Sequence, residues 1–126
     1  MLNLSGFKPL AIKGRKPLKM SITYNGVTFG KNVVEELNKC RYCKVLINFS
    51  GRKLLIVESS ENEEFKRDFC ISTKARAVRL YERNLLHAIS GLMGWKLSID
   101  SYRVVGTYHP EVKGVLFDLN KAVKLR

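Results

Sequence analysis

The stretch SITYNGVTFGKNVVEELNKCRYCKVLINFSGRKLLIVES, residues 21–59, decides the fold. It reads as strand, helix, then β-hairpin. Ile22, Tyr24, Val27 and Phe29 mark a β-rich opening that Asn25-Gly26 interrupts, a pair suited to the left-handed backbone of a tight turn. The spacing predicts a strand over 20–24, a turn, and a short extended piece leading into a helix. Leu37 stands three and four residues after Val34 and Val33, which places all three on one side of a short helix over 31–38. Asn32 suits its N-cap, with Glu35 as capping-box partner, and Glu35 and Glu36 in the first turns would meet the positive end of the helix dipole. Val45, Leu46, Ile47 and Phe49 then run into a Ser50-Gly51-Arg52 turn, and Leu54, Leu55, Ile56 and Val57 run out. Continuous apolar strands predict cover on both faces, as in a small barrel or an intertwined dimer.

Working outward, residues 77–119 repeat this order. Val78 and Leu80 alternate with Arg79, Tyr81 and Arg83 in a half-buried strand over 77–83. Asn84 suits an N-cap, and Leu85, Leu86, Ala88, Ile89, Leu92 and Met93 line a helix ending at Gly94. Trp95 is a core or interface anchor. Residues 101–108 and 114–119 form the second pair of strands. The connector, residues 60–76, carries Phe65, Phe69 and Ile71 as anchors, with a short strand near 69–72. Residues 1–19 hold Gly6, Pro9, Gly14 and Pro17 between basic side chains and read as an arm. The expected class is α+β, mainly β. Two β-α-β-β halves (20–59 and 77–119) would form one intertwined small β-barrel over 20–126, preceded by the basic N-terminal arm.

Charge narrows the function. The chain has 126 residues, 23 Lys and Arg against 11 Asp and Glu, and a net charge of +12. Such a field attracts polyanions, nucleic acid above all. Residues 1–34 contain no acidic residue, whereas Glu58, Glu61, Glu63, Glu64 and Asp68 crowd the connector. The basic side is therefore polarised. No apolar run approaches the ~20 residues that span a bilayer. The start lacks the apolar core of a secretion signal, and the odd cysteine set, Cys40, Cys43 and Cys70, suits a reducing compartment. A cytoplasmic location without a membrane is expected.

Catalytic chemistry finds little to work with. Cys40-Arg41-Tyr42-Cys43 is a lone CxxC, without the second pair that a structural zinc site usually draws on. It follows a helix rather than opening one, as a thioredoxin-like site would require. Two histidines, His87 and His109, stand far apart, and no nucleophile elbow, Walker loop or dinucleotide fingerprint occurs. The expectation is a non-enzymatic protein with no cofactor and no metal.

The segment from Val27 to Ser59, with its apolar spacing, resembles the swapped-hairpin DNA-binding domain of the AbrB/SpoVT transcription-factor family. That resemblance implies interleaved copies in one β-barrel with basic residues on its surface meeting DNA, here as a tandem, MraZ-like pseudo-dimer within one chain or as a homodimer. Gly30-Lys31 replaces the family's helix-start proline, and the turn Asn38-Lys39-Cys40-Arg41 departs from its Leu-Gly-type turn. The second half, with MGWKLSIDSYRVVGTY and GVLFDL, also resembles small uncharacterised proteins of phages and integrative elements of Gram-positive bacteria, which implies a mobile-element context.

The expected function is double-stranded DNA binding, as a transcriptional regulator of a phage or mobile element. Lys13, Arg15, Lys16 and Lys19 of the arm, Lys31, the turn residues Lys39, Arg41 and Lys44, and Arg79, Arg83 and Arg103 are the candidate contacts. Tyr24, Tyr42 and Tyr81, interleaved among them, can hydrogen-bond phosphates. The alternative is a phage-encoded anti-defence inhibitor, such as an anti-CRISPR, whose basic face engages an acidic host protein or a ribonucleoprotein. RNA binding is a third reading, without an RNP-type or GXXG motif to support it.

Overall fold

The computed structural model describes residues 16–71, 74 and 76–125. The chain is mainly β. Its strands join into one antiparallel sheet that curls into a half-barrel around a single apolar core. In chain order the elements are β1 (Leu18–Thr23), β2 (Gly26–Phe29), α1 (Lys31–Glu36), β3 (Tyr42–Asn48) and β4 (Lys53–Ser59). Then come β5 (Arg67–Asp68), β6 (Val78–Leu80), α2 (Arg83–Met93), β7 (Ser101–His109), β8 (Gly114–Asp118) and β9 (Val123–Leu125), with a 3₁₀ turn at Leu119–Lys121 before β9. Across the sheet the order is β5-β3-β4-β8-β7-β1-β2-β6, with β9 on the free stretch of β7.

Period-two alternation sets what the curl encloses. Met20 and Ile22 of β1, Val27 and Phe29 of β2, Leu54 and Ile56 of β4, and Val115 and Phe117 of β8 are fully buried. Helix α1 adds Val33 and Val34, followed by Leu37, and α2 adds Leu85, Leu86 and Ile89. Phe29 meets Phe69 at 6.0 Å and Phe117 at 5.9 Å between ring centroids. One side chain thus joins the first half, the connector and the second half. No described helix is long and apolar enough to cross a membrane.

The Asn25-Gly26 turn, the Ser50-Gly51-Arg52 hairpin tip and the helix end at Gly94 (φ 70°) lie where the sequence places them. Other expectations need correction. Gly30, not Asn32, is the N-cap of α1, with no side-chain cap. The Gly30 N–H still donates to Lys19 O at 2.9 Å, so strand pairing runs up to the helix and leaves no room for a capping box. Asn32 instead donates to Pro17 O at 3.1 Å. Because α1 ends at Glu36, Glu35 and Glu36 close it rather than open it. Glu82, not Asn84, is the N-cap of α2.

The connector strand β5 falls at 67–68 rather than 69–72, although Phe69 and Cys70 extend its pairing by donating to Arg41 O and Cys40 O. Phe65 and Ile71 are exposed and anchor nothing; Phe69 alone of the three is buried. Leu18 and Lys19 belong to β1, so the strand starts inside the expected arm, whose residues 1–15 lie outside the described part. The β3–β4 hairpin is not covered on both faces: Leu46 is 49% and Phe49 59% exposed. An unbroken apolar run records burial of one face and leaves the other undetermined.

Strands from the two halves mix. Hairpin β7–β8 sits between β4 and β1, both from the first half. Hairpin β3–β4 has β8 on one side and only the two-residue β5 on the other. The outer strands β5 and β6 are not paired, but their ends are tied: Arg67 Nε donates to both carboxylate oxygens of Glu82 at 2.5 and 2.6 Å.

Two glycines permit the close packing of β8 against β4 and β7. A Cβ at Gly114 would stand 2.5 Å from Val57 Cγ1, and one at Gly106 would stand 2.7 Å from Phe117 Cε1. Gly114→Ala and Gly106→Ala are each expected to destabilise the fold by about 2 kcal/mol through overpacking, read as a lower urea midpoint. Gly91→Ala, on the open face of α2 with nothing within 4 Å of the added carbon, is expected to raise that midpoint, by about 0.5–1 kcal/mol.

Candidate nucleic-acid interface

The alternation that sends Met20 and Ile22 inward sends Lys19, Ser21 and Thr23 outward. Register then extends this outward set across the sheet. Ser21 lies opposite Thr28 on one side and Arg103 on the other, and Thr28 lies opposite Arg79. The outer face therefore carries a transverse row Arg79–Thr28–Ser21–Arg103, two arginines flanking two hydroxyls. Three inter-strand steps put its ends about 14 Å apart. Arg79 Nε donates to Thr28 Oγ1 at 3.2 Å, which lays the guanidinium along the row. Lys19 adds a third cation one pleat further, opposite Val105.

Local backbone explains why Arg79 lies flat. Gly26 has φ +136°, and a Cβ there would stand 3.0 Å from Arg79 Cγ and from Leu80 O. The aliphatic part of Arg79 packs over a site that only glycine leaves open.

None of Lys19, Arg79 and Arg103 takes part in an ion pair among the described residues. The turn cations differ. Arg41 bonds to Asp68 at 2.8 Å and lies over the Tyr42 ring at 4.8 Å. Lys44 bonds to Glu63 at 2.9 Å. Lys44, with Ser59, holds the Glu63 carboxyl below its usual range. Lys39 is exposed in a left-handed turn (φ 53°) beside Asn38 (φ 57°), whose amide donates to Glu58 at 3.0 Å.

The remaining candidates are dispersed. Lys31 is exposed at the start of α1, and Lys16 is exposed just before β1. Lys13 and Arg15 lie outside the described residues. Arg83 is exposed at the first turn of α2. The structure thus brings Lys19, Arg79 and Arg103 onto one face. Arg41 and Lys44 sit on or beside β3, across β4, β8 and β7 from β1. Sequence reading passes over Ser21 and Thr28. Their alternation with buried neighbours is a usable signal for outward placement, but nothing local reveals that β1 lies beside β7.

Between the β1–β2 turn and α2 opens a cleft of about 370 Å³. Tyr24 of the β1–β2 turn and Tyr81 after β6 stand at it, with Arg83 and His87 of α2, over Leu86 and Leu97. Tyr24 is 67% and Tyr81 66% exposed.

The cysteines gather where the connector meets β3, away from this face. Cys43 and Cys70 are buried and Cys40 is half-buried, and none of the three is in a disulfide. Among the described residues no group of His, Cys, Asp and Glu is arranged to hold a metal ion. Burial first, then the Glu58 charge, pushes the Cys40 thiol up to about 12, and burial, then Cys40, does the same to Cys43. The thiolate is the reactive form, so at pH 8 both should alkylate far more slowly than a free thiol of ordinary pKa. Iodoacetamide labelling followed by mass spectrometry is expected to show this protection in the native protein and its loss in guanidinium. No family model, no curated protein and no solved structure matches the chain.

Proposed function

We propose that this protein binds double-stranded DNA through the outer face of β6–β2–β1–β7 and acts as a non-enzymatic regulator in a phage or mobile element. The observation that carries the reading is the Arg79–Thr28–Ser21–Arg103 row, whose guanidinium groups have no carboxylate partner among the described residues. Arginine serves both needs of such a surface, as a phosphate contact and as a bidentate reader of guanine edges. Hydroxyls between the arginines add neutral phosphate donors. Strands can themselves enter a groove or lie along the backbone. Under this reading the two β-α-β-β halves form a tandem AbrB/SpoVT-type pseudo-dimer. Insertion of hairpin β7–β8 between β4 and β1 supports that arrangement. The flank of β3, held by β5 rather than by β6, departs from an equal exchange.

A second reading has a separate observation behind it. Leu46, Leu55 and Leu116 lie in register across β3, β4 and β8, with Leu46 and Phe49 well exposed. Contiguous exposed apolar surface favours a protein contact. An anti-defence inhibitor would use it to dock on an acidic host protein or ribonucleoprotein.

Gel shifts with a generic duplex at about 50 and 200 mM salt separate these readings. DNA binding is expected at the lower salt and sharp weakening at the higher. Replacing both Arg79 and Arg103 by alanine should weaken binding at least about tenfold and lower the log–log salt slope by about two. Arg41→Ala, which removes a cation already neutralised by Asp68, should stay within about twofold. Absence of binding at low salt overturns the DNA reading, and capture of a nuclease-resistant protein partner that Leu46→Glu abolishes supports the inhibitor.

A further inference from the structure

We propose that the cleft between the β1–β2 turn and α2 holds one unstacked nucleobase of a single-stranded DNA segment. The inference rests on the nucleic-acid reading above and adds the form of the ligand. Tyr24 and Tyr81 line the same cleft, each about two-thirds exposed, yet their rings make no contact with each other among the described aromatic pairs. Two exposed rings bordering one opening offer π-faces to a planar guest. Base–aromatic stacking tolerates any base, because every base has a π-face. Leu86 and Leu97 give the cleft an apolar floor. Its volume, about 370 Å³, is within the range of small-ligand sites.

Charge selects the guest's backbone. Arg83 lines the cleft without an ion-pair partner among the described residues, and no carboxylate lines it. The nearest acid in sequence, Glu82, is engaged by Arg67. An aromatic guest carrying negative charge fits; a cationic or acid-free planar guest leaves Arg83 unused. The cleft and the row share the β1–β2 hairpin: Arg79 packs on Gly26, two residues from Tyr24. On this proposal a strand whose phosphates follow Arg103, Ser21, Thr28 and Arg79 continues into the cleft. A fully paired duplex cannot place a base there without unstacking it.

Fluorescence anisotropy on the full chain tests this with three probes: an oligothymidine of about 15 nucleotides, a matched duplex, and the same duplex with one bulged thymine. Tyr24→Ala and Tyr81→Ala are each expected to weaken oligothymidine binding about tenfold and to leave the matched duplex within about twofold. Tyr24→Phe and Tyr81→Phe should restore affinity, since stacking needs the ring and not the hydroxyl. Loss on the bulged duplex as well identifies an extruded base as a second source of the same guest; loss on oligothymidine alone identifies a continuous single strand, and either supports the proposal. If the alanine variants bind oligothymidine like the unsubstituted protein while the Arg79/Arg103 variant does not, the cleft inference falls and the DNA reading stands. If the phenylalanine variants are as weak as the alanine variants, base stacking is overturned. Failure of the unsubstituted protein to bind any probe at low salt removes both.

Discussion

Phe29 is the contact on which the curl depends. A nine-stranded antiparallel sheet of short strands could lie open and expose an apolar face. Here Phe29 touches Phe69 from the connector and Phe117 from β8, so elements far apart in the sheet order share one ring. Burying three aromatic side chains against each other contributes several kcal/mol, on the order of 1.5–3 each, and edge-to-face geometry adds to it. The Arg67–Glu82 pair ties the two ends of the sheet at their margin. Side chains of this pair are only partly buried, so its role is alignment more than stability. Once the inner face is closed in this way, alternation leaves every second residue on the outer face.

That outer face shows how charge is sorted. The chain has cations everywhere, but Arg41, Lys44 and Arg67 are engaged by Asp68, Glu63 and Glu82. These acids come from the connector and from the residue before α2. The connector's acids therefore pair with cations on or beside β3, whereas Lys19, Arg79 and Arg103 form no ion pair among the described residues.

Much of the fold was legible in local sequence. Asn25-Gly26 and Gly94 demand backbone that few residues adopt, so their places in turn and helix end could be read directly. Val33, Val34 and Leu37 marked the buried side of α1 by spacing alone. What was not legible depends on neighbours brought in from far away. Asn32 looks like a cap until Pro17 is known to lie beside it. Leu46 looks buried until the outer face of β3 is known to lack a cover. The candidate site follows the same division. Arg79 and Arg103 stood out as basic residues within strands, whereas the row they form with Ser21 and Thr28 exists only through the β1–β7 and β2–β6 registers.

Strand β7 is flanked on one side by β1, near the start of the described chain, and on the other by β9, near its end. Arg103 itself faces Ser21 across one boundary and Val123 across the other. The β1–β7 pairing joins residues 80 to 88 apart in the sequence, and closing so long a loop costs more entropy than closing a local hairpin. On the ribosome, the first half emerges with its cations but without the strand that arranges them. A partly synthesised chain therefore carries a diffuse positive charge and no ordered row. The Arg79–Thr28–Ser21–Arg103 row comes into being only as a property of the finished sheet.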